Sequence, residues 1–407
     1  MSSSPLKILI LCTKAPWPAM DGGSLAMLNM IRAFHKAGHE VSVLFMNTPK
    51  HQVNLRSYPE HIRELADFHA VNVDTSVKLV DLVANLLFSQ DSYHVHRFTS
   101  SNFRHELERI VQAGKFDIIQ LETLFMMPYI PAIRKHSKAL ISYRAHNIEH
   151  EIWKRRTENE YNPVKKLIFE ITANRMAAYE RAQMSANPFD VLVPISGKDA
   201  GLFKKLGVKK PIRVCTVGMD VDALDESEVE FEYPSICYLG ALDWEPNREG
   251  LDWFLKEVWP IVHARYPEVP FYIAGRRMPD KYRTMRHKQI KVVGEVESAG
   301  AFLRSKGVMV VPILSGSGMR VKIVEGLAYG KPIVATYIAA EGISARHGHD
   351  IMLADDPEEF AERVAVLLDR KSMFDTISRH ATKFFHRNFN NDRIAGDLLD
   401  FYKKQLK

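Results

Sequence analysis

Short apolar runs bounded by Gly, Pro, Asp or Asn recur along the chain, each separated from the next by enough residues for one helix. In the first half the pattern predicts strands at KILILC (7–12), EVSVLFM (40–46), FHAVNV (68–73), FDIIQLE (116–122), ALISYRAH (139–146), DVLVPIS (190–196) and IRVCTV (212–217). The second half repeats it at SICYLG (235–240), FYIAG (271–275), IKVVG (290–294), VMVVPIL (308–314), KPIVAT (331–336) and IMLAD (351–355). Between them lie helical patterns such as SLAMLNMIRAFHKAG, which closes on Gly38 and which Ser24 is placed to cap. Near-continuous apolar strands alternating with helices imply parallel sheets covered on both faces. Helical spacing of Met, Ala and Tyr between Glu170 and Met184 marks a packing face.

The expected fold is therefore α/β, with two tandem doubly wound, Rossmann-like domains. At 407 residues the chain exceeds the ~250–300 residues at which single cores stop growing. The expected division is 1–217 for the first domain and 218–387 for the second, with the terminal helical stretch 388–407 packing back on the first. Ligands of open α/β sheets bind outside the carboxyl ends of the strands, so the site is expected in a cleft between the two domains.

Composition changes this picture little. Hydrophobic residues at 46% and charged residues at 26% fit a folded chain without a long disordered tail. Cys12, Cys215 and Cys237 are widely spaced within apolar runs and read as reduced, buried side chains. No apolar run approaches the ~18 residues that span a bilayer, and the first residues lack a signal-peptide pattern, so a cytoplasmic location is expected. The net charge of +6 calls for acidic partners. Its basic clusters are scattered and lack the aromatic interleaving of a nucleic-acid module, so no nucleic-acid partner is expected; most of them read as solvated surface charge, and an anionic membrane surface is the sharper minority reading.

Candidate chemistry gathers at GSGMRVKIVEG, Gly316 to Gly326. A strand, a glycine loop and a helix capped near Gly330 would aim unpaired backbone N–H groups at an anion. The spacing is neither a Rossmann fingerprint, since position 321 is Val, nor a P-loop, since Lys331 precedes Pro332. Arg320 and Lys322 suit a diphosphate, and Glu325 suits a diol such as ribose. In the first half, Gly22 and Gly23 open a helix after the first strand, and His146 ends ALISYRAH, with Asn147 and Glu149 placed to orient it. Asp220-Val221-Asp222 has the form of a metal motif but falls in the interdomain link, and no metal is expected.

PILSGSGMRVKIVEGLAYGKPIVAT with AAEGI resembles the donor-site signature of GT-B retaining glycosyltransferases, family 4 (glycosyl transferases group 1). PWPAMDGGSLAMLNMIRAFHKAGHEVSV, RAHNIEHEIWKR, DVLVPISGKD and YLGALDWEPNREGLDWFLKEVWP resemble the same family in the same order. The resemblance implies metal-independent transfer of a sugar from a nucleotide-sugar to a glycan or lipid-linked acceptor, with retained configuration. It places Glu325 on the ribose, Arg320 and Lys322 on the diphosphate, His146 on the transferred sugar, and Gly22 and Gly23 near donor phosphate and acceptor. Gly316, Ser317, Gly318 and Met319 form the loop around the donor. Two positions depart from the family. Ser317 stands where many members keep an acid that contacts the sugar, leaving that contact to the backbone of Gly318 and Met319. Leu242 and Asn247 stand where many carry an Arg and a Lys, so the phosphate charge is assigned to Arg320 and Lys322, with Arg276 third. Front-face attack assisted by the departing phosphate is favoured over a covalent sugar intermediate. A nucleotide-sugar epimerase of the same fold and a non-catalytic scaffold subunit stay open as alternatives. The segment 78–98, amphipathic and ending in His94, His96 and Arg97, is the candidate contact with a lipid-linked acceptor at the inner membrane face.

Overall fold

In the computed structural model, β1 (Lys7–Cys12) is buried at every position after its first, as expected of a strand covered on both faces. The structure describes residues 4–19, 21–78, 85, 92–158, 160, 162–221, 224, 227–316 and 319–406. The remaining strands are β2 (Glu40–Asn47), β3 (Asp67–Asn72), β4 (Ile118–Glu122), β5 (Leu140–Ala145), β6 (Val191–Pro194), β7 (Ile236–Leu239), β8 (Phe271–Ala274), β9 (Ile290–Gly294), β10 (Val308–Val311), β11 (Ile333–Ala335) and β12 (Met352–Leu353). Six helices matter below: α1 (Gly22–Lys36), α2 (Glu149–Glu158), α3 (Pro163–Ala186), α4 (Glu245–Trp253), α5 (Val321–Ala328) and α6 (Asn391–Gln405).

The chain forms two units, residues 1–218 with 391–407, and residues 219–390. In the first, the strand order is β3-β2-β1-β4-β5-β6; in the second it is β12-β11-β10-β7-β8-β9. Counted from each unit's own first strand, both orders read 3-2-1-4-5-6, and every pairing is parallel. The order reverses between β1 and β4 in one unit and between β7 and β10 in the other, and those are the points where a crevice opens at the strand ends. The α/β, doubly wound class read from the sequence is what the chain adopts.

Each sheet is covered on both sides. In the first unit Leu9, Leu44, Leu121 and Tyr143 face one apolar cluster, while Ile8, Ile10, Val43 and Phe45 face another completed by Leu398, Leu399 and Tyr402 of α6. The terminal helix thus returns to the first unit. Asn29 on α1 secures both points where the chain leaves and re-enters it, donating to the Gly218 carbonyl at 2.8 Å and accepting from the Asn391 amide at 2.6 Å. Within α3, Thr172, Ala173, Met176, Glu180 and Met184 are buried, so the 170–184 stretch does pack.

Two local expectations need correction, and a third is only partly described. IRVCTV makes no strand; Ile212 forms an isolated bridge with Leu192. The Arg213 and Cys215 amides donate to the Leu192 and Pro194 carbonyls of β6 at 3.0 and 2.9 Å, but the contact amounts to one isolated bridge, and Val214 is 39% exposed. The cap of α1 is Asp21, whose carboxylate accepts from the Ser24 amide at 2.8 Å, because the helix begins at Gly22, ahead of Ser24. In the 78–98 segment a five-residue helix covers Tyr93–Arg97, and residues 79–84 and 86–91 lie outside the described residues.

Candidate functional site

At the β7/β10 reversal of the second unit, two loops approach each other. After β10 the chain passes Gly316, which is left-handed at φ +95°, a conformation only glycine takes without strain. It then reaches α5, whose first residue is Val321 and whose N-terminal neighbour, Arg320, has extended backbone with no side-chain cap. The helix therefore starts later than the glycine spacing implies, and among the described residues no side chain caps its first amides. After β7 the chain passes Gly240 and Trp244 into α4. Arg320 is buried, lies over the Trp244 ring at 5.2 Å and donates to the Ser315 carbonyl at 3.3 Å.

Lys322 crosses the reversal. Its ammonium donates to the Asn247 Oδ1 at 2.7 Å and lies 5.1 Å from the Tyr238 ring centre. Asn247 is itself held, donating to the Ala241 carbonyl at 2.7 Å, and its own carbonyl accepts from the Tyr238 hydroxyl at 3.0 Å. A Cβ at position 240 would stand 2.9 Å from the Lys322 Nζ, so glycine there clears the path. Burial, reinforced by the neighbouring Arg320, pulls the Lys322 ammonium down to about 7. Glu325, one turn on, makes no ion pair with Lys322. Among the described residues its carboxylate has no hydrogen-bond partner, and burial pushes its pKa up. A half-buried carboxylate in that state is poised to accept hydroxyl donors.

The other members of the expected donor loop are less complete. Met319 is half-buried and packs on the apolar cluster around Ile323. Ser317 and Gly318 lie outside the described residues. Arg276 is exposed in the loop after β8, where its carbonyl accepts from the Leu242 amide at 3.0 Å; among the described residues no contact joins its side chain to Arg320, Lys322 or Glu325. Leu242 is fully buried, which removes it from any ligand.

In the first unit a cavity of about 660 Å³ sits at the ends of β1, β2, β4 and β5, lined by Gly23, His146 and Asn147 among others. His146 is buried, and its Nε2 is hydrogen-bonded to the Glu122 carboxylate. Glu122 also meets Arg144 at 3.1 Å and accepts from the Gln120 amide at 2.6 Å. Burial alone would raise this carboxyl, but Arg144 and His146 hold it down at about 2. The chain continues through Gln120 Oε1, which accepts from the Tyr402 hydroxyl of α6 at 2.8 Å, and that hydroxyl also meets the Ser142 hydroxyl at 2.7 Å.

Glu122 and Arg144 are register partners on β4 and β5. The sequence signal was present: Gln120 and Glu122 share one face of their strand, as do Ser142 and Arg144, at the period of two that puts side chains on one side. Glu149 does not orient His146. Among the described residues no hydrogen bond joins the two side chains, and Glu149 is pushed up to about 8 by burial and by nearby Glu180, which accepts from the Glu149 and His150 amides at 3.2 and 3.1 Å. At Gly22 a Cβ would meet open space, whereas at Gly23 it would stand 3.3 Å from the Lys14 Nζ.

Among the described residues no group of three or more His, Cys, Asp or Glu side chains is arranged to hold a metal, and no helix is long and apolar enough to cross a membrane. Asp222 of the D-x-D triplet lies outside the described residues.

Comparison with known proteins places this geometry among relatives. Residues 233–370 match the family described as glycosyl transferases group 1. Over its whole length the chain is similar to an uncharacterized 44.6 kDa protein in the cps region of Klebsiella pneumoniae, 21% identical over 97% of this chain and 99% of that one. A phosphatidyl-myo-inositol mannosyltransferase of Mycobacterium leprae is 29% identical over 37% of this chain and 42% of its own length. Among solved structures, Anabaena Alr3699/HepE in complex with UDP and glucose superposes with a TM-score of 0.63 at 13% identity, over 98% of this chain and 99% of that one. That likeness carries the fold.

Proposed function

We propose that this chain, a glycosyltransferase whose residues 233–370 form a glycosyl transferases group 1 domain, is a retaining, metal-independent enzyme of family 4 that transfers a sugar from a nucleotide-sugar to a glycan or lipid-linked acceptor. The observation that carries the reading is the β7/β10 crevice, where the mostly buried Lys322 ammonium, the Arg320 guanidinium and a Glu325 carboxylate with no hydrogen-bond partner among the described residues stand within two turns. Two cations suit a diphosphate, and the carboxylate suits the ribose diol. The solved relative bound to UDP and glucose supports a nucleotide-sugar as the donor.

Catalysis in this reading is charge stabilisation. As the glycosidic bond breaks, negative charge grows on the leaving diphosphate, and Arg320, Lys322 and the first amides of α5 are fixed to receive it. Lysine and arginine supply the positive charge that a metal gives elsewhere. His146, held by Glu122, is the residue assigned to the transferred sugar. The alternatives are less well supported: an epimerase needs an acid and base pair at the sugar carbon, and the nearest partner of His146, Glu122, is already bound to Arg144.

Thermal shifts with UDP, GDP, dTDP and ADP test the reading, repeated in EDTA. One of them should stabilise the wild-type protein with or without the chelator, and the gain should vanish in Lys322→Ala. No shift with any nucleotide would overturn the assignment. Once the donor is known, turnover with it should fall strongly in Lys322→Ala and Glu325→Ala.

The membrane-facing part of the proposal rests on the α2–α3 pair. Ile152, Val164 and Leu167 are 38%, 67% and 58% exposed, beside Lys154, Arg155, Lys165 and Lys166. An apolar and basic surface of this kind suits an anionic bilayer, which would bring a soluble, cytoplasmic chain to a lipid-linked acceptor.

A further inference from the structure

The cavity of the first unit has an unusual electrostatic lining. Lys14, Lys50, His51, Arg97 and His146 contribute to its wall, and among the described residues no Asp or Glu does. Lys14 is already matched, since Asp21 behind it accepts at 2.6 Å. Lys50 is exposed. Arg97 differs from both: it is half-buried, its Nε is enclosed without a hydrogen-bond partner, and among the described residues no carboxylate or carbonyl meets its guanidinium. It is held by aromatic rings, 5.5 Å from the Phe98 centre and 6.0 Å from that of Tyr93.

A guanidinium withdrawn from water without a counter-charge is costly, and a ligand oxygen would offset that cost. Its planar fork matches phosphate and carboxylate. Beside it, Phe98 and Phe125 stack with centres 4.8 Å apart at 29°, and both line the cavity. That flat apolar wall suits the C–H face of a sugar ring. The volume of about 660 Å³ is that of a small-ligand site.

From this lining we infer that the cavity binds an acceptor sugar carrying an anionic group, a phosphate or a carboxylate, with Arg97 as its partner and the Phe98–Phe125 stack under the ring. The word acceptor rests on the transferase reading above; the anion preference does not.

Calorimetry on the full chain tests it with D-glucose, α-D-glucose 1-phosphate, D-glucuronate and inorganic phosphate. The charged sugar that fits should bind roughly tenfold or more tightly than glucose; preference for the phosphate or the carboxylate names the source. Arg97→Gln should abolish the preference and Arg97→Lys should retain part of it. Should Arg97→Gln fail to fold, Lys50→Gln, at an exposed position, should weaken the charged probe alone. Equal binding of glucose and both charged sugars overturns the inference, as does a preference that Arg97→Gln leaves intact. Inorganic phosphate binding as tightly as the sugar phosphate would mean an adventitious ion only, and also overturns it. The nucleotide shifts are read through Lys322 in the other unit, so a protein blind to nucleotides but selective for the charged sugar sinks the transferase reading alone.

Discussion

Lys322 is a cation that its own surroundings nearly discharge. Its folded value of about 7 lies below the ordinary 10.5, so between those values the folded protein holds fewer protons here than the unfolded chain. Stability through this group falls as pH drops from 10.5 toward about 7. A bound diphosphate would restore the charge, so nucleotide binding near pH ~8 should take up a proton. Calorimetry in two buffers of different ionisation enthalpy reads that uptake, and Lys322→Met should lose it. At Glu325, exchange to Gln keeps the shape but weakens acceptance of the ribose hydroxyls; the expected loss is on the order of tenfold in nucleotide affinity, measured by titration. These residues were legible because a glycine loop before a helix has few uses, and two cations with a carboxylate narrow them further. Asn247 was not legible: its role is to hold Lys322 across 75 positions of sequence. Glu122 was missed for another reason. Its face of the strand was legible from the alternation with Gln120, but which residues stand against it, Arg144 and His146, is set by the pairing with β5.

At the scale of elements, helices α2 and α3 meet over two buried carboxylates. Glu180 accepts amides from the start of α2, and its charge helps keep Glu149 protonated up to about 8, against an ordinary value of 4.5. The raised folded value means that the folded state holds the extra proton. Stability through Glu149 is therefore fullest below 4.5 and is lost as pH rises to about 8, with a slope on the order of 1.4 kcal/mol per unit at most. Glu149→Gln should melt higher than wild type by a margin that widens across this window and then levels, as thermal melts at stepped pH would show. Twelve of the expected strands stand where they were read, though several, such as 308–314 and 351–355, are shorter in the structure, at Val308–Val311 and Met352–Leu353; apolar runs of four to eight leave little else to form. IRVCTV was the exception, because an apolar run does not say whether its contact with a neighbour, here β6, extends beyond a single bridge. The start of α5 and the cap of α1 moved by a few residues for a related reason: caps are decided by local side-chain geometry, which spacing alone underdetermines.

For the whole molecule, charge and exposed apolar surface act together. A net charge of +6 with Val164 and Leu167 exposed should bring the protein to anionic vesicles at low salt and release it as salt rises, because the attraction is screened within about 10 Å at ~0.1 M. Vesicle sedimentation measures this, and a protein that stays in the supernatant at low salt rejects the membrane proposal. Tyr402→Phe tests the other end of the chain: removing a buried hydroxyl shared by Ser142 and Gln120 should cost about 1–3 kcal/mol in denaturant unfolding. The tyrosine also has a bearing on synthesis. The row from Tyr402 through Gln120 and Glu122 to His146 begins in a helix that follows the second domain in sequence and ends in the domain that precedes it. On the ribosome, the first domain must wait, with Gln120 and Ser142 still lacking their partner, while the entire second domain is translated. An N-terminal half released before that helix would therefore lack the hydroxyl that completes its polar core, which couples completion of the first domain to translation of the second.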